Sequence, residues 1–205
     1  MPRVRIFFSK GGRALFIPHV DLPILFARAA RRAGLGMEYT QGFSPHPKTE
    51  FGPPLPVGVA GANEPAEFWL TEWRGELLGR WAGVMPDGFA MICAREVSGR
   101  SLSKLCRDAS YAIRFRNGTS PCAAAPILER EFASLGSLMS IGTDGDAVNI
   151  SVTDLERSGA SKMVKALTAA GLASGWPDVV IQRTAVGRMD EAGGHVISLK
   201  EKESQ

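Results

Sequence analysis

Between positions 41 and 48 the chain reads Gln41-Gly42-Phe43-Ser44-Pro45-His46-Pro47-Lys48. Each proline fixes its own φ and drives the residue before it towards extended geometry, so Ser44 and His46 are both held extended. An imidazole carried on so stiff a backbone can exchange a proton near neutral pH, or hydrogen-bond a base or ribose edge, at little entropic cost. The plainer reading is a Pro-rich turn whose histidine caps a neighbour. His19, two positions before Asp21, offers a second imidazole. The pair could act as general acid and base in a metal-independent RNA cleavage, although helix capping accounts better for His19.

Cations gather around this segment. Residues 1–48 hold eight basic side chains against two acidic ones, a charge of +6, so residues 49–205 carry −3 of the total +3. Such a localised positive field attracts polyanions. Arg28, Arg31 and Arg32 fall at i, i+3 and i+4 on one helical face with no acidic partner at i±4, an arrangement suited to gripping phosphates. The expected anion site comprises Lys10, Arg13, His19, Arg28, Arg32, Gln41, Ser44, His46 and Lys48. Its Lys and Arg members would bind phosphates, while Gln41, Ser44 and His46 would recognise a base or ribose edge. Tyr39, Phe43 and Phe51 flank the loop. Phe51 reads as core; Tyr39 and Phe43 could be core or platforms on which bases stack.

Other chemistries lack their residues. Gly11-Gly12 has no Walker pattern, no GxGxxG follows a strand, and no Gly-x-Ser-x-Gly elbow occurs. Cys93, Cys106 and Cys122 are too scattered for a disulfide framework, a zinc site or an iron–sulfur cluster, and His195 is remote from the other histidines. No metal and no cofactor is expected. A hydrophobic content of 44% with 22% charged residues suits a globular chain, and the apolar runs are too short to span a bilayer. The N-terminus lacks a signal-peptide core, so a cytoplasmic location is expected.

The elements that must position these residues are legible from periodicity. Arg3 to Phe8 alternates as a strand, and Ala14 to Ile17 is a short apolar piece. Leu22, Leu25, Phe26, Ala29, Ala30 and Ala33 recur on one face and predict a helix over Val20–Ala33, stopped by Gly34. Met37–Phe43 predicts the second strand, Phe68–Trp73 the third, Glu76–Val84 a helix and Phe89–Val97 a closing strand. The order repeats: strand Tyr111–Arg116, helix Ala125–Leu135, strands Ser137–Gly142 and Ala147–Thr153 about the turn Thr143-Asp144-Gly145-Asp146, helix Ser161–Ala170 and strand Val179–Val186. Two runs of β-α-β-β-α-β predict an α+β protein of two tandem ferredoxin-like domains, residues 1–105 and 106–205, with a tail that forms a short hairpin beyond Gly187 and then frays.

Phe8-Ser9-Lys10, Phe16 to Leu22, Arg28-Ala29, residues 31–35, Tyr39 to Lys48, Phe51, Leu55-Pro56 and Gly58 occur in an order and spacing that resembles the radical-SAM-associated (radical-SAM-linked) bacterial domain family of unknown function, in its standalone form. The resemblance is dense over about the first 60 residues. It implies a role beside a radical-SAM enzyme that modifies RNA, with this chain, which lacks the three-cysteine cluster, as the accessory half. One departure stands out: the family usually has Ser-His-Leu-Asp-Leu, whereas here Pro18 precedes His19 and Pro23 follows Leu22, which removes any role for the serine hydroxyl. The opening region also resembles CRISPR repeat-processing endoribonucleases at the level of fold alone. The expected function is therefore an RNA-binding accessory protein, with tRNA the expected RNA, a radical-SAM enzyme the expected partner and no membrane association. Two alternatives stay open: a metal-independent ribonuclease or transferase using His46 and His19, and an interaction scaffold that docks a radical-SAM partner through the Pro-rich arm, Pro45 to Pro56.

Overall fold

The computed structural model describes residues 1–190 and 196–202. The first strand, β1 (Arg3–Lys10), is buried on both sides. Its Val4, Ile6 and Phe8 face α1 (Leu22–Arg32), which presents Leu22, Phe26, Ala29 and Ala30 to them. Phe26 is the hub of this layer, with ring centroids 4.8 Å from Phe8 and 5.8 Å from Phe68. Each fully buried ring of this kind contributes about 1.5–3 kcal/mol through lost water contact. The helix is shorter than its apolar stripe predicts, because His19–Asp21 forms a separate 3-10 turn and Pro23 sits in the first turn of the helix proper.

Two strands differ from expectation. Met37–Phe43 is no strand: Met37 and Tyr39 make isolated bridges to Leu70 and Pro47, and the ladder strand is the three-residue β2, Thr49–Phe51. Pro45 and Pro47 withhold two N–H groups within three residues, which leaves the Tyr39–Pro47 pairing as a single bridge. The expected Phe68–Trp73 strand is the end of the ten-residue β3, Ala60–Trp69. Ahead of Phe68 it carries no apolar alternation, because Glu64 and Glu67 occupy buried positions there. Those carboxylates are matched: Arg5 Nη2 donates to Glu67 at 2.7 Å, Arg3 Nε donates to it at 2.6 Å, and Arg183 holds Glu64.

The remaining elements are α2 (Leu77–Ala82), β4 (Phe89–Glu96), the single turn α3 (Leu102–Leu105), β5 (Asp108–Phe115), α4 (Pro121–Ser134), β6 (Leu138–Asp144), β7 (Ala147–Thr153), α5 (Ala160–Ala169), β8 (Val179–Met189), β9 (Val196–Ser198) and α6 (Leu199–Lys202). The β6–β7 hairpin turns at Gly145, with φ +56°, as the Asp-Gly signal predicts. β9 pairs antiparallel with β8 beyond Gly187, while residues 203–205, expected to fray, lie outside the described residues, as does His195. The strands form one mixed sheet in the order β4-β1-β3-β8-β5-β7-β6, with β2 added to β3 and β9 to β8. Every pairing is antiparallel except β3–β8, where Ala60 and Gly61 lie beside Gln182 and Arg183.

The protein is thus a mixed α+β fold with few helices. One apolar cluster lies under α1 and α2; the other lies under α4 and α5 and also draws in Phe7, Leu55 and Val59 from the first half. Beside these shared apolar contacts, a buried ion pair joins the halves. Arg183 and Glu64 are 1% and 5% exposed, and the Arg183 Nε donates to Glu64 Oε1 at 3.0 Å. Removing one member of a buried pair leaves the other charge uncompensated. Glu64→Leu is expected to cost about 3–5 kcal/mol, read as a lowered urea midpoint, and a variant with wild-type stability would show that Arg183 needs no counter-charge.

Candidate nucleic-acid interface

The Pro-His-Pro segment forms the loop of a short hairpin. Thr40 N donates to His46 O at 2.8 Å, His46 N to the Thr40 hydroxyl at 3.0 Å, and Lys48 N to Glu38 O at 2.8 Å. Gly42 takes φ +138°, which an L side chain rarely adopts. Gln41, Ser44 and His46 are all exposed on this loop, and Phe43 projects fully into solvent. Tyr39 is 42% exposed and accepts a hydrogen bond from Arg31 Nη2 at 3.3 Å, which seats the hairpin against the end of α1. The two aromatics are therefore surface groups, whereas Phe51 packs with Phe26 and Phe68. Lys48 is pinned, its Nζ 4.9 Å from the centre of the Trp69 ring and 3.5 Å from Glu38.

Arg28 and Arg32 lie on a neighbouring flank of α1, where a groove of about 470 Å³ is lined by them together with Ile17, Asp21, Ile24, Leu25 and Pro86. Arg32 donates to Val84 O at 2.7 Å, while Arg28 is exposed and has no ion-pair or hydrogen-bond partner among the described residues. Arg13 is exposed on the 3-10 turn Gly12–Phe16. Phe16, Val20 and Ile24 are also exposed along this run, at 73%, 75% and 57%.

Lys10 and His19 go inward instead. Lys10 is 1% exposed and its Nζ donates to Ile17 O at 2.7 Å. Loss of water lowers its pKa, and Arg183 adds to that while Glu64 opposes it. His19 packs edge-on to Phe51 with centroids 5.9 Å apart, and its buried Nδ1 has no hydrogen-bond partner. Desolvation lowers the His19 pKa, with Arg183 and Lys10 acting in the same direction and Glu64 against them. Both residues line a small cavity of about 10 Å³ with Glu64 and Leu55, room for about one water. The two imidazoles thus occupy unlike settings, His46 on the loop and His19 against the interior, and no hydrogen bond joins them.

The site most distant from sequence reasoning is a larger groove of about 1670 Å³ between the Pro-rich arm and α5. Pro53 and Pro54 form one wall and are held by Arg183, whose Nη2 donates to Pro53 O at 2.7 Å and Nη1 to Pro54 O at 3.4 Å. The opposite wall is the outer face of α5, including Ser161, Lys162, Lys165 and Thr168. Tyr111 and Cys106 lie at its base. Burial pushes the Cys106 thiol up to about 12, so it stays protonated and a poor nucleophile. Arg107, Trp176 and the β7–α5 connection with Asp154, Glu156 and Arg157 also line it. The available signal was the helix Ala-Ser-Lys-Met-Val-Lys-Ala-Leu-Thr-Ala, which has no acidic residue anywhere in its length.

A family model described as "Uncharacterized protein conserved in bacteria (DUF2344)" matches residues 3–167, a span that takes in the hairpin, α1 and most of α5. The chain belongs to that family. No curated protein matches it. Among solved structures, one described as "putative glycine cleavage system transcriptional repressor" is similar with a TM-score of 0.27 and 9% identity, over 89% of this chain and 95% of that one. Among the described residues of this family member, no group of three or more His, Cys, Asp or Glu could hold a metal ion. No helix among them is long and apolar enough to cross a membrane.

The position of His19 fixes a pH response. Its folded-state pKa lies below that of the unfolded chain, so the unfolded chain takes up the proton first as pH falls. This contribution to stability is complete above the unfolded value of about 6.5 and declines below it. The urea midpoint is expected to drop between about pH 8 and about pH 5, and to drop less in His19→Phe. Equal drops in both proteins would place the acid sensitivity elsewhere.

Proposed function

We propose that this chain is an RNA-binding accessory module, with tRNA as its target, that acts beside a radical-SAM RNA-modification enzyme. The observation that carries the RNA-binding part is the hairpin tip: Phe43 wholly exposed, Tyr39 half-exposed on the Arg31 guanidinium, and Arg28 exposed without a counter-ion nearby on the same helix. A phenylalanine held clear of the surface on a stiff loop leaves its ring face open, and bases offer flat faces to such rings. The cations supply the phosphate attraction that positions a strand on those rings. Of the expected anion set, Arg13, Arg28, Arg32, Gln41, Ser44, His46 and Lys48 remain available to this reading, and Arg31, Tyr39 and Phe43 join them. The radical-SAM association rests on the resemblance of residues 8–58 to the radical-SAM-linked domains.

The same reading takes the two β-α-β-β-α-β runs as ferredoxin-like units, residues 1–105 and 106–205. The neighbour order β4-β1-β3-β2 in the first run and β8-β5-β7-β6 in the second supports it. A second functional reading, the interaction scaffold, is favoured by one observation of its own: Phe16, Val20 and Ile24 expose their side chains along a single stretch. A partner enzyme retained after nuclease treatment, and released by Ile24→Glu, would support it.

For RNA binding the test is a gel shift with tRNA across a salt series. Combined Arg28→Ala, Arg31→Ala and Phe43→Ala is expected to weaken binding at least about tenfold and to flatten the log–log salt slope by about 1.5–2, from two lost phosphate contacts. Unchanged retention of tRNA by this variant would refute the proposed interface.

A further inference from the structure

The groove between the Pro-rich arm and α5 is not used by the hairpin interface, and its lining specifies a ligand. Its floor and one wall are apolar and flat: Pro53, Pro54, Val164 and the 39%-exposed ring of Trp176. Its rim carries both signs with a basic excess, four cations against two carboxylates. Arg107 and Lys165 are both exposed and neither has an ion-pair partner among the described residues, whereas Lys162 is engaged by Glu131 at 2.6 Å, Asp154 is paired with Arg157 at 3.9 Å and Glu156 adds an exposed carboxylate. Flat apolar surface below unpaired guanidinium and ammonium groups suits a molecule with aromatic faces on one side and regularly spaced anions on the other.

The volume narrows the choice further. Pockets for single small molecules run to about 1,000 Å³, and this groove of about 1670 Å³ exceeds them. Rigidity is also built in, because Arg183 ties the arm to Glu64 and Tyr111 at the base of the groove. A site whose walls are already fixed loses little freedom on binding.

The geometry points to this groove as the seat of an unpaired RNA segment, with bases turned towards the arm and Trp176 and phosphates on Arg107 and Lys165. The inference rests on the RNA-binding reading above and adds a second, single-strand-specific contact to it.

The test uses the full chain and a fluorescein-labelled oligouridylate of about ten nucleotides, within the ~4–16-nucleotide range of single-strand sites, followed by anisotropy. Combined Arg107→Ala and Lys165→Ala is expected to weaken binding about tenfold, and both residues are exposed, so the fold should survive. Trp176→Ala is expected to weaken it at least about fivefold. An RNA duplex of matched charge should compete poorly, and 4-thiouridine in the strand should crosslink to the Pro-rich arm or to Trp176. Oligouridylate affinity unchanged in these variants, with tRNA binding still lost on combined Arg28→Ala, Arg31→Ala and Phe43→Ala, would overturn the groove and leave the hairpin interface standing. Displacement by uridine monophosphate as effective as by the oligomer, or by polyglutamate, would also overturn it, as a site for a mononucleotide or an acidic peptide. Failure of the wild-type protein to bind either oligouridylate or tRNA would end both.

Discussion

The guanidinium of Arg183 ties three separate segments together: β3, the Pro-rich arm and β5. It lies on β8, is buried, and binds the Glu64 carboxylate on β3 through two nitrogens while spending further donors on Pro53 O and Pro54 O. Burial alone would disfavour its charge, but the Glu64 carboxylate more than offsets that and holds the guanidinium protonated. Desolvating two ions is expensive, so such a pair adds little net stability compared with a well-packed apolar substitute. What it does set is register. β3 and β8 pair over only Ala60–Gly61 and Gln182–Arg183, and two residues of ladder could slip without a charge to anchor them.

That anchor has consequences on both sides of the sheet. Pulling Pro53 and Pro54 towards β8 turns the Pro-rich arm from a loose connector into the fixed wall of the large groove. Behind it, the positive field of Arg183 reaches Lys10 and His19 and disfavours further protonation there. Lys10 therefore serves the interior, bridging to the Ile17 carbonyl and steadying the turn that leads into α1. The exposed cations at the end of α1 and on the groove rim are a separate population, bound to no such framework.

The legible parts of the sequence were those where one physical effect dominates. The apolar stripe of α1 and the Asp-Gly turn of the β6–β7 hairpin follow from periodicity and turn chemistry, and both appear with only small shifts in their ends. β3 was partly hidden because its inward positions carry Glu64 and Glu67, and a carboxylate reads as a surface residue unless its arginine, 119 positions away in one case, is known. Lys10 and His19 read as anion-binding groups for the same reason. Their burial depends on Glu64, Phe51 and Arg183, none of which is near them in sequence. The sequence of the hairpin leaves its aromatics open between core and surface, and the isolated bridge of Tyr39 to Pro47 puts them outside the sheet. The groove was illegible because its walls come from the arm, the α3–β5 segment and α5, each ordinary by itself.

The separation of β3 from β8 also bears on how the chain emerges during synthesis. Translation delivers residues 60–69 long before residues 179–189 exist, so part of one margin of β3 must wait with its backbone amides and carbonyls in water. An open margin invites pairing with a neighbouring nascent chain. Glu64 sits at that margin, and until Arg183 arrives its ionised carboxylate repels an identical strand brought alongside. One carboxylate thus stands as a bare charge on an open strand margin before it becomes half of a closed ion pair.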